Sequence, residues 1–200
     1  AFAELAANGR AAGVRVLSAA SLDLALGELL QREDAFQAVT VERYLRRSEL
    51  KTARLFEAAC QLGALEGRRS EPQDVDALGA FGRRIGLAFQ LLDDVLDVSA
   101  PAERTGKQRG ADLLDGTMTL PLILARERDS ELAALDVRSI ASSARAAEVC
   151  DRIEATGALA EARARALAMA EQATAGLPAL PRSQRSALEL VADGVVERYA

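Results

Sequence analysis

The stretch Gly86-Leu-Ala-Phe-Gln-Leu-Leu-Asp-Asp-Val-Leu-Asp97 decides how this chain reads. It contains no proline and is apolar over most of its length, which predicts a buried helix. Yet Asp93, Asp94 and Asp97 lie within five residues of one another. At about 100° per residue, Gln90, Asp93, Asp94 and Asp97 follow the i, i+3, i+4, i+7 spacing and share one stripe. Leucines, Phe89 and Val95 cover the rest of the circumference. Like charges at this spacing repel, and Asp is a poor interior helix former. A cation would neutralise such a stripe, and hard divalent ions such as Mg²⁺ prefer carboxylate oxygen. The same periodicity also describes a solvated acidic face.

Outward from this helix, the chain reads as all-α. Ala, Leu, Glu and Arg dominate, strand-like alternation is absent, and helical breaks recur. The pattern predicts helices over 11–33, 49–65 and from Pro72 to Asp97. Thr40 caps a short piece, Ser48 caps the next helix, and Gly67 stops it. Gly82 and Gly86, four apart, permit another helix or a ligand to come close. Residues 99–116 form one extended irregular stretch, long enough to suggest a functional loop. A helix with Pro121 in its first turn follows, then helices near 143–156, 158–175 and 183–199. The 200 residues suit one domain, 1–200.

Composition removes several function classes. There is no histidine, so no His-ligated zinc and no imidazole base can be built. A net charge of −5 does not suit nucleic-acid binding. No signal peptide and no apolar run long enough to span a bilayer is present. Isolated Cys60 and Cys150 fit a reducing cytoplasm.

Of 25 basic residues, Lys51 and Lys107 are the only lysines. A lysine is a compact charge with three donors, suited to phosphate oxygens. Lys51 flanks the apolar stripe of its helix, where an unpaired charge is costly, although its stem could also carry the ammonium to the surface. Lys107 lies in Gly106-Lys-Gln-Arg-Gly110, where flanking glycines leave backbone amides free for an anion. A carboxylate stripe, two lysine-bearing segments and a helical scaffold are the ingredients of metal-bridged diphosphate binding.

These residues carry a resemblance. Gly86-x-x-Phe-Gln-x-x-Asp-Asp-x-x-Asp97 resembles the second aspartate-rich motif of the trans-polyprenyl diphosphate synthases. Lys51-Thr-Ala-x-Leu-Phe56 is similar to that family's Lys-Thr-Ala segment. Gly27-Glu-x-x-Gln31 resembles an upstream helix, and Gly106-Lys-x-x-Gly-x-Asp-Leu…Gly-x-x-Thr-Leu-Pro121 the following loop and helix. The resemblance implies an all-α isoprenoid-synthase bundle, here without its N-terminal helices, and a homodimer.

It also implies an Mg²⁺-dependent prenyltransferase joining isopentenyl diphosphate head-to-tail to an allylic diphosphate. By the motifs, Asp93 is the principal metal ligand, supported by Asp94 and Asp97. Lys51 and Lys107 bind the allylic diphosphate, and Thr52 and Gln90 orient the substrate and stabilise developing positive charge. There are two departures. The family's first aspartate-rich motif is absent, and Thr117 stands where many members have a further lysine. We therefore expect that these 200 residues alone do not catalyse. The alternative is a non-catalytic partner subunit of a heteromeric synthase.

Overall fold

A computed structural model describes residues 2–67, 71–99 and 108–197. Lys107 and the preceding residues 100–106 of the irregular stretch lie outside the described residues. Among those described there is no strand. The elements are α1 (Phe2–Ala7), α2 (Ala11–Asp34), α3 (Val41–Ser48), a π-helical turn (Glu49–Ala53) and α4 (Arg54–Glu66). After them come α5 (Pro72–Ser99), α6 (Ala111–Leu114), α7 (Leu120–Arg126) and α8 (Ser130–Ala134). A 3₁₀ turn (Val137–Ser139) then leads to α9 (Ser143–Ala155), α10 (Ala158–Ala175) and α11 (Arg182–Glu197).

The order of packing puts α5 at the centre. It lies against α4 on one side and α10 on the other, while α2 covers α4 and α11 covers α10. Phe81, Ile85, Ala88, Leu91, Leu92, Val95 and Val98 of α5 are all buried in one core. From α10, Ala158, Ala162, Ala166, Ala170 and Ala173 are buried. A stripe of methyl side chains lets two helix axes approach closely without interlocking bulk. The α4 side uses glycine instead. A Cβ on Gly82 would sit 2.4 Å from the Phe56 carbonyl oxygen, and one on Gly86 would sit 2.7 Å from Ala53 Cα. Gly82 and Gly86 thus both serve a helix contact.

Helix limits match the sequence reading at most ends, and Thr40 caps α3 by accepting from the Arg43 amide at 3.3 Å. Ser48 is different. It has helical dihedrals and makes no capping bond, so the chain runs without a break from α3 through the π turn into α4. No Gly or Pro interrupts residues 41–62, and nothing there obliges the helix to stop. Gly67 does end α4, but in an extended conformation rather than a left-handed one.

Arg47 pins the α2–α3 corner. It is 3% exposed, donates to Asp34 Oδ2 at 3.3 Å and to the Met118 carbonyl at 2.7 Å, and lies over the Tyr44 ring. Asp34 also accepts from Arg43 Nε at 2.5 Å. Removing one partner of a buried pair leaves the other charge uncompensated, at a cost of about 3–5 kcal/mol. Arg47→Leu should therefore lower the unfolding free energy by about 3 kcal/mol, the low end because Arg43 remains; urea denaturation followed by circular dichroism measures the loss.

Candidate functional site

The π-helical turn is where the site begins. Its defining bond runs from the Arg54 amide to the Glu49 carbonyl, five residues back. Such single-turn insertions recur at functional sites because they re-aim the side chains they carry. This one carries Lys51 and Thr52.

Lys51 is held from α2. Its ammonium donates to Gln31 Oε1 at 2.9 Å and pairs with Glu28 Oε1 at 3.1 Å. Gly27 makes the arrangement sterically possible: a Cβ there would be 2.5 Å from the Lys51 amide nitrogen and 2.8 Å from its Cα. The Gly27-Glu-x-x-Gln31 segment is thus a mount for Lys51. Glycine gives the close approach, and two polar side chains fix the ammonium. An ammonium has three donors, so a third remains for a phosphate oxygen. The lysine side chain is 31% exposed, neither stranded in the core nor released to bulk water.

Thr52 points the other way, to α5. Its hydroxyl donates to Gln90 Oε1 at 2.7 Å, and Gln90 Nε2 donates to Asp94 Oδ1 at 2.8 Å. The other Asp94 oxygen accepts from the Tyr44 hydroxyl at 2.6 Å. Asp94 is 3% exposed and Tyr44 1%. Burial, and secondarily the nearby charge of Asp112, raise the Asp94 carboxyl to about 7. Asp97 is raised to about 7 for the same two reasons. Its Oδ2 accepts from the Asp112 amide at 3.3 Å, and its carbonyl accepts from the Gly110 amide at 2.9 Å, so it ties the start of α6 to the end of α5. Asp93, the neighbour of Asp94 on the same helix, is partly buried.

The structure therefore links Thr52 of the π turn to Gln90 and Asp94 of α5, holds Lys51 of the same turn against α2, and carries Asp93 and Asp97 on α5 beside Asp94. Among the described residues, no group of three His, Cys, Asp or Glu side chains is arranged to hold a metal ion. The Gly106–Gly110 segment is only partly placed: Lys107 is outside the described residues, and Arg109 is bonded within the protein. Arg109 donates to the Val98 carbonyl at 2.5 Å and to Asp151 at 2.6 Å, and reaches Glu154 at 3.3 Å. One turn beyond Thr52, Phe56 lines an apolar groove of about 1000 Å³ between α4, α5 and α11, shared with Leu55, Ala59, Phe81, Leu188 and Val191.

The sequence reading missed Tyr44. The available signal was a tyrosine seven residues before Lys51 on a helix with one apolar face, since a buried tyrosine hydroxyl must find a partner.

The profile of the polyprenyl synthetase family matches residues 1–156. A short chain isoprenyl diphosphate synthase of Methanothermobacter thermautotrophicus is 39% identical over 189 residues, covering 92% of this chain and 56% of the relative. The octaprenyl diphosphate synthase of Escherichia coli is 37% identical over 205 residues, covering 99% of this chain and 63% of the relative. A crystal structure of a polyprenyl synthase from Caulobacter crescentus, complexed with calcium and isoprenyl diphosphate, superposes with a TM-score of 0.90 at 33% identity. That match covers all of this chain and 62% of the other. The chain spans about half the length of the curated relatives it matches, from 44% to 63%.

A methyl group on Gly27 would collide with backbone, which cannot rotate away. Gly27→Ala should force α2 off the π turn and lower stability by about 1–3 kcal/mol, as overpacking does. Urea denaturation measures the stability, and faster amide exchange at Lys51 would locate the damage.

Proposed function

Because the chain belongs to the polyprenyl synthetase family, we propose that it provides one wall of a prenyltransferase active site making a trans-polyprenyl diphosphate. The observation that carries the reading is the mounting of Lys51. A lysine fixed by Glu28 and Gln31 with one donor to spare stands beside a stripe of carboxylates, as capture of a metal-bound diphosphate requires. All 200 residues make up one all-α domain in this reading.

The donor set suits Mg²⁺: oxygen ligands only, on a helix where Asp94 and Asp97 are raised to about 7 by burial and by like charge. Bound there, Mg²⁺ would offset the charge of the leaving diphosphate. Asp93 would be its principal ligand from this chain. Asp97 supports it, and Asp94, with both oxygens already accepting hydrogen bonds, acts through Gln90 and through water. Lys51 neutralises a diphosphate oxygen, and Lys107 is proposed for the same diphosphate.

The allylic carbon–oxygen bond breaks with its electron pair leaving on diphosphate, and the double bond of isopentenyl diphosphate attacks the cation. Thr52 donates its proton to Gln90, so its oxygen lone pairs are available to the developing positive charge. The proton lost after condensation passes to the released diphosphate, consistent with a chain that has no histidine. The apolar groove beyond Phe56 would exclude water from the cation. The same reading carries a homodimer. It also carries a cytoplasmic location, supported by two free cysteines, Cys60 and Cys150. No helix among the described residues is long and apolar enough to cross a membrane.

The test is Mg²⁺-dependent elongation of an allylic diphosphate by the whole gene product. Asp93→Ala should reduce kcat by at least about 100-fold, the scale of lost electrostatic stabilisation, with an unchanged circular dichroism spectrum. Equal activity of variant and wild type would remove Asp93 from the site.

A further inference from the structure

Tyr44 bonds neither Gln90 nor Thr52, yet both are aligned by its hold on Asp94. It lies on α3, 1% exposed, with the Arg47 guanidinium 5.6 Å from its ring centroid. Its hydroxyl donates to Asp94 Oδ2 at 2.6 Å.

The direction of each later bond follows from this one. Gln90 presents its NH₂ group to Asp94, donating to Oδ1 at 2.8 Å. The Gln90 carbonyl is then the only atom it can offer to Thr52, and at 2.7 Å the Thr52 hydroxyl must be the donor. Reversing the Gln90 amide would set its carbonyl against a carboxylate oxygen. The polarity that Thr52 presents to the cavity is therefore set three bonds away, by whether Asp94 is held in this orientation.

Gln90 alone cannot hold Asp94. A carboxylate gripped on one oxygen can swing about its terminal torsion, which is broad. Tyr44 grips the second oxygen. Without its hydroxyl, Oδ2 is a buried acceptor with no partner, and the carboxylate gains by rotating to find one.

We propose that Tyr44 is a positioning residue for prenyl transfer: its hydroxyl locks the Asp94 carboxylate, which fixes the Gln90 amide with its carbonyl turned to Thr52. This rests on the prenyl-transfer reading above. The role is oriented hydrogen bonding at a distance from the reacting atoms, and residues that orient a site's ligands in this way typically account for 10–100-fold in activity.

The test is Tyr44→Phe in the whole gene product, with two readouts. The ring is kept, so the core stays filled, and circular dichroism confirms the fold. The first readout is steady-state kinetics: kcat should fall about 10-fold or more while KM for both diphosphates stays unchanged, because an orientation realised in the transition state is what is lost. The second needs no turnover. The side-chain amide signal of ¹⁵N-labelled Gln90, assigned by its loss in Gln90→Leu, should lose its slow hydrogen exchange in Tyr44→Phe. Both changes together support the proposal. An unchanged Gln90 signal, an unaltered kcat, or a rise in KM alone each overturns it. Wild-type protein without elongation activity would instead sink the prenyl-transfer reading, and the Gln90 signal would then decide the relay by itself.

Discussion

Two glycines on different helices press on the same turn. Gly27 of α2 lies against the backbone of Lys51, where a Cβ would come within 2.5 Å. Gly86 of α5 lies against Ala53, where a Cβ would come within 2.7 Å. The π-helical turn between them is held at main-chain contact from two sides. At that separation Glu28 and Gln31 reach the Lys51 ammonium, and Thr52 reaches Gln90. One additional carbon on either glycine would move the turn and detach a partner from it. The site is thus a by-product of helix packing made close enough for short polar side chains to meet.

The same closeness sets the electrostatics. Asp94 sits in the central helix with almost no exposure, where an unneutralised carboxylate is costly. Two hydrogen bonds offset part of that cost, and the carboxyl is still raised to about 7. Asp97 shows the same strain on the more open side of the helix. The buried Arg47–Asp34 pair, one helix away, is compensated within the protein, with a carbonyl and a second arginine completing it. The contrast is informative. Where this chain buries charge for structure it supplies the counter-charge, whereas the buried Asp94 carboxylate of the α5 stripe is met by two neutral donors, Tyr44 and Gln90.

Much of this was legible in the residues. The α5 stripe, the helical class, the limits of α2 and α10, and the two close-packing glycines follow from periodicity and side-chain size alone. For Lys51 the residues left two outcomes open, an internal partner or an ammonium carried to the surface, and its contacts with Gln31 and Glu28 are of the first kind. The partners themselves were not legible, because Gly27, Glu28 and Gln31 lie 20 or more residues earlier and only the packing of α2 on the π turn brings them near. The π turn gave no sign in sequence. Ser48 has the chemistry of a cap, but it sits inside a continuous helix whose neighbours, not its own side chain, decide where it bends. Arg109, in the same loop as Lys107, is held by Asp151 and Glu154 of α9, partners that only the packing of α9 reveals.

The central claim is that the α5 stripe and the mounted lysine face one metal–diphosphate complex. Crystals of the whole gene product grown with Mn²⁺ and inorganic diphosphate, measured at the manganese absorption edge, test it directly. The account predicts an anomalous peak within about 2.2 Å of an Asp93 carboxylate oxygen, an ordinary distance for a small divalent ion on carboxylate, and diphosphate within hydrogen-bond reach of Lys51 Nζ. Anomalous density only at sites away from α5, or diphosphate bound without Lys51, would contradict it.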